Sequence, residues 1–326
     1  MRAPLILALA VSAGALHPGA LAEEYRIAVI PKGTTHEYWK SVDAGAVKAQ
    51  RELAARGIAV DVIWKGPLRE DDREQQIQVV ENFIGLNVSA IVLAPLDSRA
   101  LVAPAEEAVK AGIPVIIIDS GLNSTLPSCT VATDNRKGGQ IGARRLGSLL
   151  GGKGRAIMLR YEVGSDSTAQ REAGFLEVMK SEFPGIALIS TDQYGGATTE
   201  TAYRAAQNLL NRFGDQTDGI FAPNESSAHG MLLALREAGL AGRVRFVGFD
   251  ANEQLVGALR KGDIQGLVVQ DPLKMGYLGV MSAVARLRHE PLAASIDTGV
   301  ALVTRENLDD AAISALIHPP LSEYLR

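Results

Sequence analysis

Polar side chains that hydrogen-bond well recur just downstream of short apolar runs in this 326-residue chain. Ile27–Ile30 leads into Pro31-Lys32, Ile91–Ala94 into Pro95-Leu96-Asp97, and Val115–Ile118 into Asp119. Further on, Ile220–Ala222 meets Pro223-Asn224-Glu225, Phe246–Phe249 meets Asp250, and Leu267–Val269 meets Gln270-Asp271. A carboxylate accepts from two adjacent hydroxyls, and an amide both donates and accepts. An arginine adds a planar fork of donors. Aromatic faces cover the C–H side of a sugar ring, and Tyr38-Trp39 follows shortly after the first run. Any one of these Asp or Asn residues is also an ordinary turn or cap residue. Six run ends together point to capture of a small polyhydroxylated molecule.

The motifs that would indicate catalysis are weaker. Gly151-Gly152-Lys153-Gly154 sits after a helical pattern and before a strand pattern, the reverse of the order that aims amides at phosphate. His36, His229 and His289 lack metal-ligand spacing. Ser165-Asp166-Ser167 lacks a nucleophile elbow and reads as a helix cap. A binding role without cofactor or metal is expected.

The elements that must hold these residues alternate. Nearly continuous Val/Ile/Leu runs suit strands buried on both faces of a parallel sheet. Between them, Tyr38 to Arg56 places Val42, Ala46, Ala49 and Leu53 on one helical face. Glu70 to Gly85 does the same with Ile77, Val80 and Ile84. Repeated strand–helix–strand units predict an α/β protein with doubly wound sheets. The units outnumber what one open sheet holds comfortably, so two lobes are expected, with a break near Ala132–Asp134 and no Pro/Ser-rich linker. In open α/β sheets ligands bind beyond the carboxyl ends of strands, which is where the polar residues fall.

Composition fits this reading: 47% hydrophobic, 21% charged and a net charge of −4, with no basic stripe for nucleic acid. Residues 1–22 read as a secretory signal peptide, with Arg2, an apolar run from Leu5 to Leu16, and Ala20-Leu21-Ala22 as the cleavage site. A soluble exported protein is expected. Cys129 is the only cysteine, so no internal disulfide can form, and it reads as a small buried side chain.

Taken in order, several segments resemble the periplasmic solute-binding proteins of ABC sugar importers, of the ribose-binding type. These are Thr35-His36-Glu37-Tyr38-Trp39, Ala94-Pro95-Leu96-Asp97, Ala132-Thr133-Asp134-Asn135 with Gly138-Gly139, and Gln170-Arg171-Glu172-Ala173-Gly174-Phe175. Phe221-Ala222-Pro223-Asn224-Glu225, Val247-Gly248-Phe249-Asp250 and Val269-Gln270 complete the series. The resemblance implies the type I periplasmic binding protein fold: two parallel-sheet lobes joined by a three-segment hinge that close on a monosaccharide. Residues 23–133 with 271–296 would form the first lobe, and 134–270 with 297–326 the second. It also implies that Asp119, Arg171, Asn224, Asp250 and Gln270 hydrogen-bond sugar hydroxyls. Tyr38 and Trp39 would sandwich the ring, Tyr194 would supply an aromatic from the other lobe, and His36 would stand where the ribose binder has an amide. Lys32 and Asp97 complete the candidate set.

Pro31-Lys32, Ala94 and Ser120 depart from the ribose pattern, which argues against ribose itself. Lys32 beside Arg171 would favour an acidic sugar, whereas pairing with Asp97 or Glu37 would make it structural. Expected partners are a monosaccharide or polyol and an inner-membrane permease, with the protein a periplasmic monomer. A sensory binding protein, or a binder of a non-sugar polar ligand, is the alternative. A lactose-repressor-type regulator shares the core but would need a helix-turn-helix headpiece where the signal peptide is read.

Overall fold

A computed structural model of the protein describes residues 24–325; the signal peptide read at residues 1–22 lies outside the described residues. The first sheet begins with β1 (Tyr25–Ile30), β2 (Val60–Trp64), β3 (Ala90–Leu93), β4 (Val115–Ile118) and β5 (Cys129–Ala132). Helices α1 (Glu37–Ala55), α2 (Arg73–Gly85) and α3 (Val102–Lys110) connect its successive strands up to β4. The run Ile27–Ile30 is uninterrupted because both of its faces are covered. Ile27 and Val29 pack with Val42 and Ala46 of α1, while Ala28 and Ile30 pack with Val80 and Phe83 of α2. Each Val, Ile or Phe side chain so buried contributes about 1.5–3 kcal/mol relative to exposure.

The pattern of the first helix is met within a residue at each end. The second starts later than the periodicity suggests. The Asp72 side chain accepts from the Gln75 N–H at 2.9 Å and caps α2 at Arg73, leaving Glu70 in the turn ahead of it.

After β5 the chain continues through α4 (Asn135–Leu149), β6 (Gly154–Met158), α5 (Asp166–Glu182), β7 (Ile186–Ser190) and α6 (Thr199–Phe213). It then runs through β8 (Gly219–Phe221), α7 (Glu225–Glu237), β9 (Arg245–Phe249), α8 (Glu253–Lys261) and β10 (Gly266–Gln270). Helix α9 (Pro272–Leu287) returns to pack on α1, followed by β11 (Ser295–Asp297) and β12 (Val300–Val303). The first sheet has the order β11-β5-β4-β3-β1-β2, all parallel. The second has the order β12-β10-β9-β8-β6-β7, parallel except for β12. This is the type I periplasmic binding protein arrangement of two α/β lobes.

Three segments cross between the sheets: β5 to α4, β10 to α9, and β11 to β12. They bond to one another as they cross. Thr133 Oγ1 lies 3.2 Å from Thr298 Oγ1 and donates to Gly299 O at 3.1 Å, and the Asp134 N–H donates to Asp297 Oδ1 at 3.2 Å. Two details differ from the lobe limits read in the sequence. Asp297 belongs to β11 and so to the first sheet. The chain's last described helix, α11 (Leu321–Tyr324), leaves the second lobe, where α10 (Ala311–Ile317) is seated, and rests on α1. Arg51 of α1 holds it there by donating to the carbonyls of Glu323 (2.5 Å) and Tyr324 (3.2 Å). Among the described residues, no helix is long and apolar enough to cross a membrane.

Candidate ligand-binding cleft

The carboxyl ends of both sheets point toward one another across a small, half-open cavity of about 30 Å³. Asp119 follows β4 with φ 63° and Asp250 follows β9 with φ 65°, a left-handed backbone that few non-glycine residues adopt. Strain of this kind concentrates at functional sites. In both cases the backbone N–H still pairs with a neighbouring strand, Asp119 with Val131 O at 3.0 Å and Asp250 with Val268 O at 2.7 Å.

The wall from the first lobe carries Lys32, Tyr38, Trp39, Glu70 and Asp119. Lys32 Nζ pairs with Asp119 Oδ2 at 2.9 Å and donates to Ser167 Oγ (3.1 Å) and Ser165 Oγ (3.4 Å), which uses its three donors. Tyr38 donates through its hydroxyl to Asp119 Oδ1 at 2.8 Å. Glu70 accepts from Trp39 Nε1 (2.8 Å) and His36 Nδ1 (2.6 Å) on Oε1, and from the Tyr161 hydroxyl (2.7 Å) on Oε2. Burial would raise the Glu70 pKa, but the His36 hydrogen bond and charge, with Lys32 and Tyr161, outweigh it and hold the carboxyl at about 2. Burial likewise opposes the charge on His36, and the hydrogen bond and charge of Glu70 prevail, placing it at about 9. The Tyr38 and Trp39 rings meet edge to face, centroids 5.0 Å apart.

The wall from the second lobe carries Tyr161, Ser167, Thr168, Arg171, Asn224, Glu225, Asp250 and Gln270. Arg171 projects from α5, held close to α4 at Gly139, where a Cβ would sit 1.8 Å from the Arg171 carbonyl oxygen. Its Nε donates to Asn135 Oδ1 (2.8 Å) and its Nη1 to Pro223 O (3.0 Å), with the guanidinium 3.9 Å from the Phe249 ring centroid. Asp250 Oδ2 lies 3.8 Å from Nη1. Gln270 Nε2 donates to Asp250 Oδ1 at 2.8 Å. Burial raises the Asp250 pKa against the pull of Arg171 and Gln270. Burial also pushes Glu225 up to about 7 despite the Asn252 hydrogen bond and the His36 charge. On this wall Arg171 Nη2 and Gln270 Oε1 are buried without a hydrogen-bond partner among the described residues.

Of the residues singled out in the sequence, Lys32, Tyr38, Trp39, Asp119, Arg171, Asn224, Asp250 and Gln270 line one cavity. His36 does not line it and instead backs Glu70. Asp97 and Tyr194 stand apart, which corrects the sequence reading. Asp97 Oδ1 accepts from the N–H groups of Arg99 (2.9 Å) and Ala100 (3.0 Å), and Oδ2 pairs with Arg73 Nε (2.9 Å). The residue is consumed by the turn that leads to α3. Tyr194 is exposed over the Arg160 guanidinium, 4.6 Å from it. Lys32 pairs with neither Asp97 nor Glu37 but with Asp119. Sequence reasoning missed Glu70, Tyr161, Ser167, Thr168 and Glu225. Tyr161 lies two residues beyond the run Ala156–Leu159, and Glu225 directly follows Asn224, so the strand-end rule could have found both.

Comparison with known proteins gives this cavity a context. The family model described as "Periplasmic binding protein domain" matches residues 27–291. The chain belongs to the periplasmic binding proteins. As a member of that family it is 31% identical over 300 residues to the D-ribose/D-allose-binding protein of Pseudomonas aeruginosa, covering 86% of this chain and 89% of that one. A carbohydrate transporter solute-binding protein from Agrobacterium radiobacter, solved with D-arabinose, superposes on this periplasmic binding protein with a TM-score of 0.85. The two are 36% identical over 91% of this chain and 100% of that one. An ABC transporter solute-binding protein from Agrobacterium vitis, bound to α-D-tagatopyranose, gives a TM-score of 0.84 at 31% identity, over 90% and 99% of the two chains.

Proposed function

We propose that the protein is the periplasmic solute-binding component of an ABC-type sugar importer, and that it takes an uncharged monosaccharide between its lobes for delivery to a membrane permease. The observation that carries this reading is the pair of buried, unpartnered atoms Arg171 Nη2 and Gln270 Oε1 beside the cavity. One is a donor and the other an acceptor. A hydroxylated ligand satisfies both at once, because each hydroxyl donates and accepts. A group left unpaired in the interior costs about 1–3 kcal/mol, so a ligand lacking the right hydroxyl binds correspondingly worse.

Charge separates neutral from acidic ligands. Lys32, His36 and Arg171 are offset by Glu70, Asp119 and Asp250, and Lys32 has no donor left over. A carboxylate ligand would add an uncompensated buried charge. Tyr38, Trp39 and Tyr161 supply apolar ring surface, and Asn224 and Asp250 supply further polar atoms. Family membership and the sugars bound by related proteins support the same role, a binding rather than a catalytic one.

A thermal-shift screen of pentoses, hexoses, polyols and sugar acids tests the reading, since a ligand that binds only the native state raises Tm by mass action. Neutral monosaccharides are expected to give the largest shifts. A preference for sugar acids, or turnover of any of these compounds, would sink it.

A further inference from the structure

Four carboxyl groups line the cavity, those of Glu70, Asp119, Glu225 and Asp250, and only three cations answer them. Lys32 pairs with Asp119 (2.9 Å), His36 with Glu70 (2.6 Å), and Arg171 Nη1 lies 3.8 Å from Asp250 Oδ2. Among the described residues no Lys, Arg or His side chain pairs with Glu225. Water does not replace the missing cation, because Glu225 is only 8% exposed. Its hydrogen-bond partners are neutral: Oε1 accepts from Asn252 Nδ2 at 3.0 Å, and Oε2 from the Tyr38 N–H at 3.2 Å. A buried carboxylate without a cation is costly, and it escapes the cost by keeping its proton. Asp250 has the stronger claim to the negative charge. Arg171, the Gln270 amide at 2.8 Å and the Glu225 N–H at 3.1 Å all favour its ionised form.

The elements packed against Glu225 do not supply the missing charge. His36, ahead of α1, favours the ionised form, and Asp250, at the end of β9, opposes it. Tyr38 of α1 keeps its hydroxyl proton, held by burial and by Asp119, and Asn252 ahead of α8 is an amide. One turn along α7, His229 has its pKa lowered by burial and by Arg236 against the pull of Glu37, so it adds no cation. Burial outweighs these attractions and carries the Glu225 carboxyl to about 7. Each carboxyl oxygen has two lone-pair directions and spends one of them on its present bond, so either can carry the proton without losing a partner.

We propose that Glu225 is a specificity residue that faces the cavity as an uncharged carboxylic acid, donates its O–H to an oxygen of the bound sugar, and thereby ties affinity to one proton. It adds a donor to a wall otherwise rich in acceptors, and it keeps the three cations balanced by three carboxylates. As pH rises through about 7 the proton leaves, the donor is lost and an uncompensated charge is left buried against the ligand, so affinity falls. The acceptor rests on the sugar-binding reading above; the protonated state of Glu225 does not.

Carbon-13 NMR of the full chain, with the Glu225 carboxyl assigned through its own backbone, reads its titration with and without D-arabinose. The midpoint is expected near 7, or higher with the sugar present, against 4.5 for an ordinary glutamate. A midpoint near 4.5 in both preparations would overturn the proposal. Calorimetry with D-arabinose should give a Kd about tenfold weaker at pH 8 than at pH 6, a range in which His36 stays charged. Glu225→Gln carries a donor at every pH, so its two Kd values should agree within about twofold. Equal Kd values in wild type, or the same tenfold change surviving in Glu225→Gln, would defeat the donor role. A failure of D-arabinose to bind counts against the ligand reading alone. The titration, which needs no sugar, then decides the state of Glu225.

Discussion

The two walls of the cleft are built on opposite plans. In the first lobe every polar group facing the cavity is committed to another protein group: Lys32 to Asp119, Tyr38 to Asp119, Trp39 and His36 to Glu70. In the second lobe Arg171 and Gln270 each hold one atom free. The first wall is a finished surface that presents rings and shape. Under the proposed function the second is an unfinished one that a ligand completes, which places the reading of its hydroxyls on Arg171 of α5 and Gln270 of β10.

The hardest blow to this contrast is Arg171→Ala. It removes the free donor and leaves Asp250 buried without its cation, so affinity for the sugar found in the thermal-shift screen should fall by about a thousandfold, on the scale of 3–5 kcal/mol. Calorimetry checks this, and unchanged affinity would refute the site.

Next comes Lys32→Met, which strands Asp119 on the committed wall. It should cost about 3 kcal/mol of stability in urea unfolding, most of it recovered in Lys32→Met/Asp119→Asn. A large loss of affinity with intact stability would mean that Lys32 touches ligand after all.

The His36–Glu70 pair sharpens the comparison through pH. The His36 pKa of about 9 lies above its unfolded value of 6.5, so its contribution is complete below pH 6.5 and is lost as pH rises through 9. Glu70, held at about 2 from 4.5, contributes fully above pH 4.5 and loses that contribution as pH falls through 2. The pair is therefore strongest between these limits. The stability advantage of wild type over His36→Gln should be on the order of 2 kcal/mol near pH 6 and should vanish above pH 9. Smallest of all, Tyr194→Ala should leave affinity within about twofold, because an exposed ring away from the pocket contributes little to binding.

Much of this was legible in the chain itself. Buried parallel strands cannot alternate polar with apolar residues, so Ile27–Ile30 and Val115–Ile118 announced themselves, and a polar residue just beyond each, Lys32 and Asp119, lines the cleft. Asp119, Asp250 and Gln270 were found that way. Asp97 obeys the same positional rule and still misses, because its carboxylate is spent on the amides of its own turn. The sequence records a residue's place but not whether its valences are already taken. Glu70 was hidden for a related reason: the helical periodicity ran through it, and only the competing N-cap at Asp72 starts the helix late enough to free it. Tyr194 misses the cleft because of how the chain leaves β7, and no local pattern encodes that.

The left-handed backbone at Asp119 and Asp250 constrains any redesign of this pocket. Aspartate and asparagine tolerate that conformation; β-branched and bulky residues do not. A library aimed at a new sugar therefore gains little by randomising these two positions, since most replacements would be lost to backbone strain before meeting a ligand. The productive positions are those on ordinary backbone, Ser167 and Thr168 on α5 and Glu70 and Tyr161 across from each other. The route to altered selectivity runs around the two aspartates, not through them.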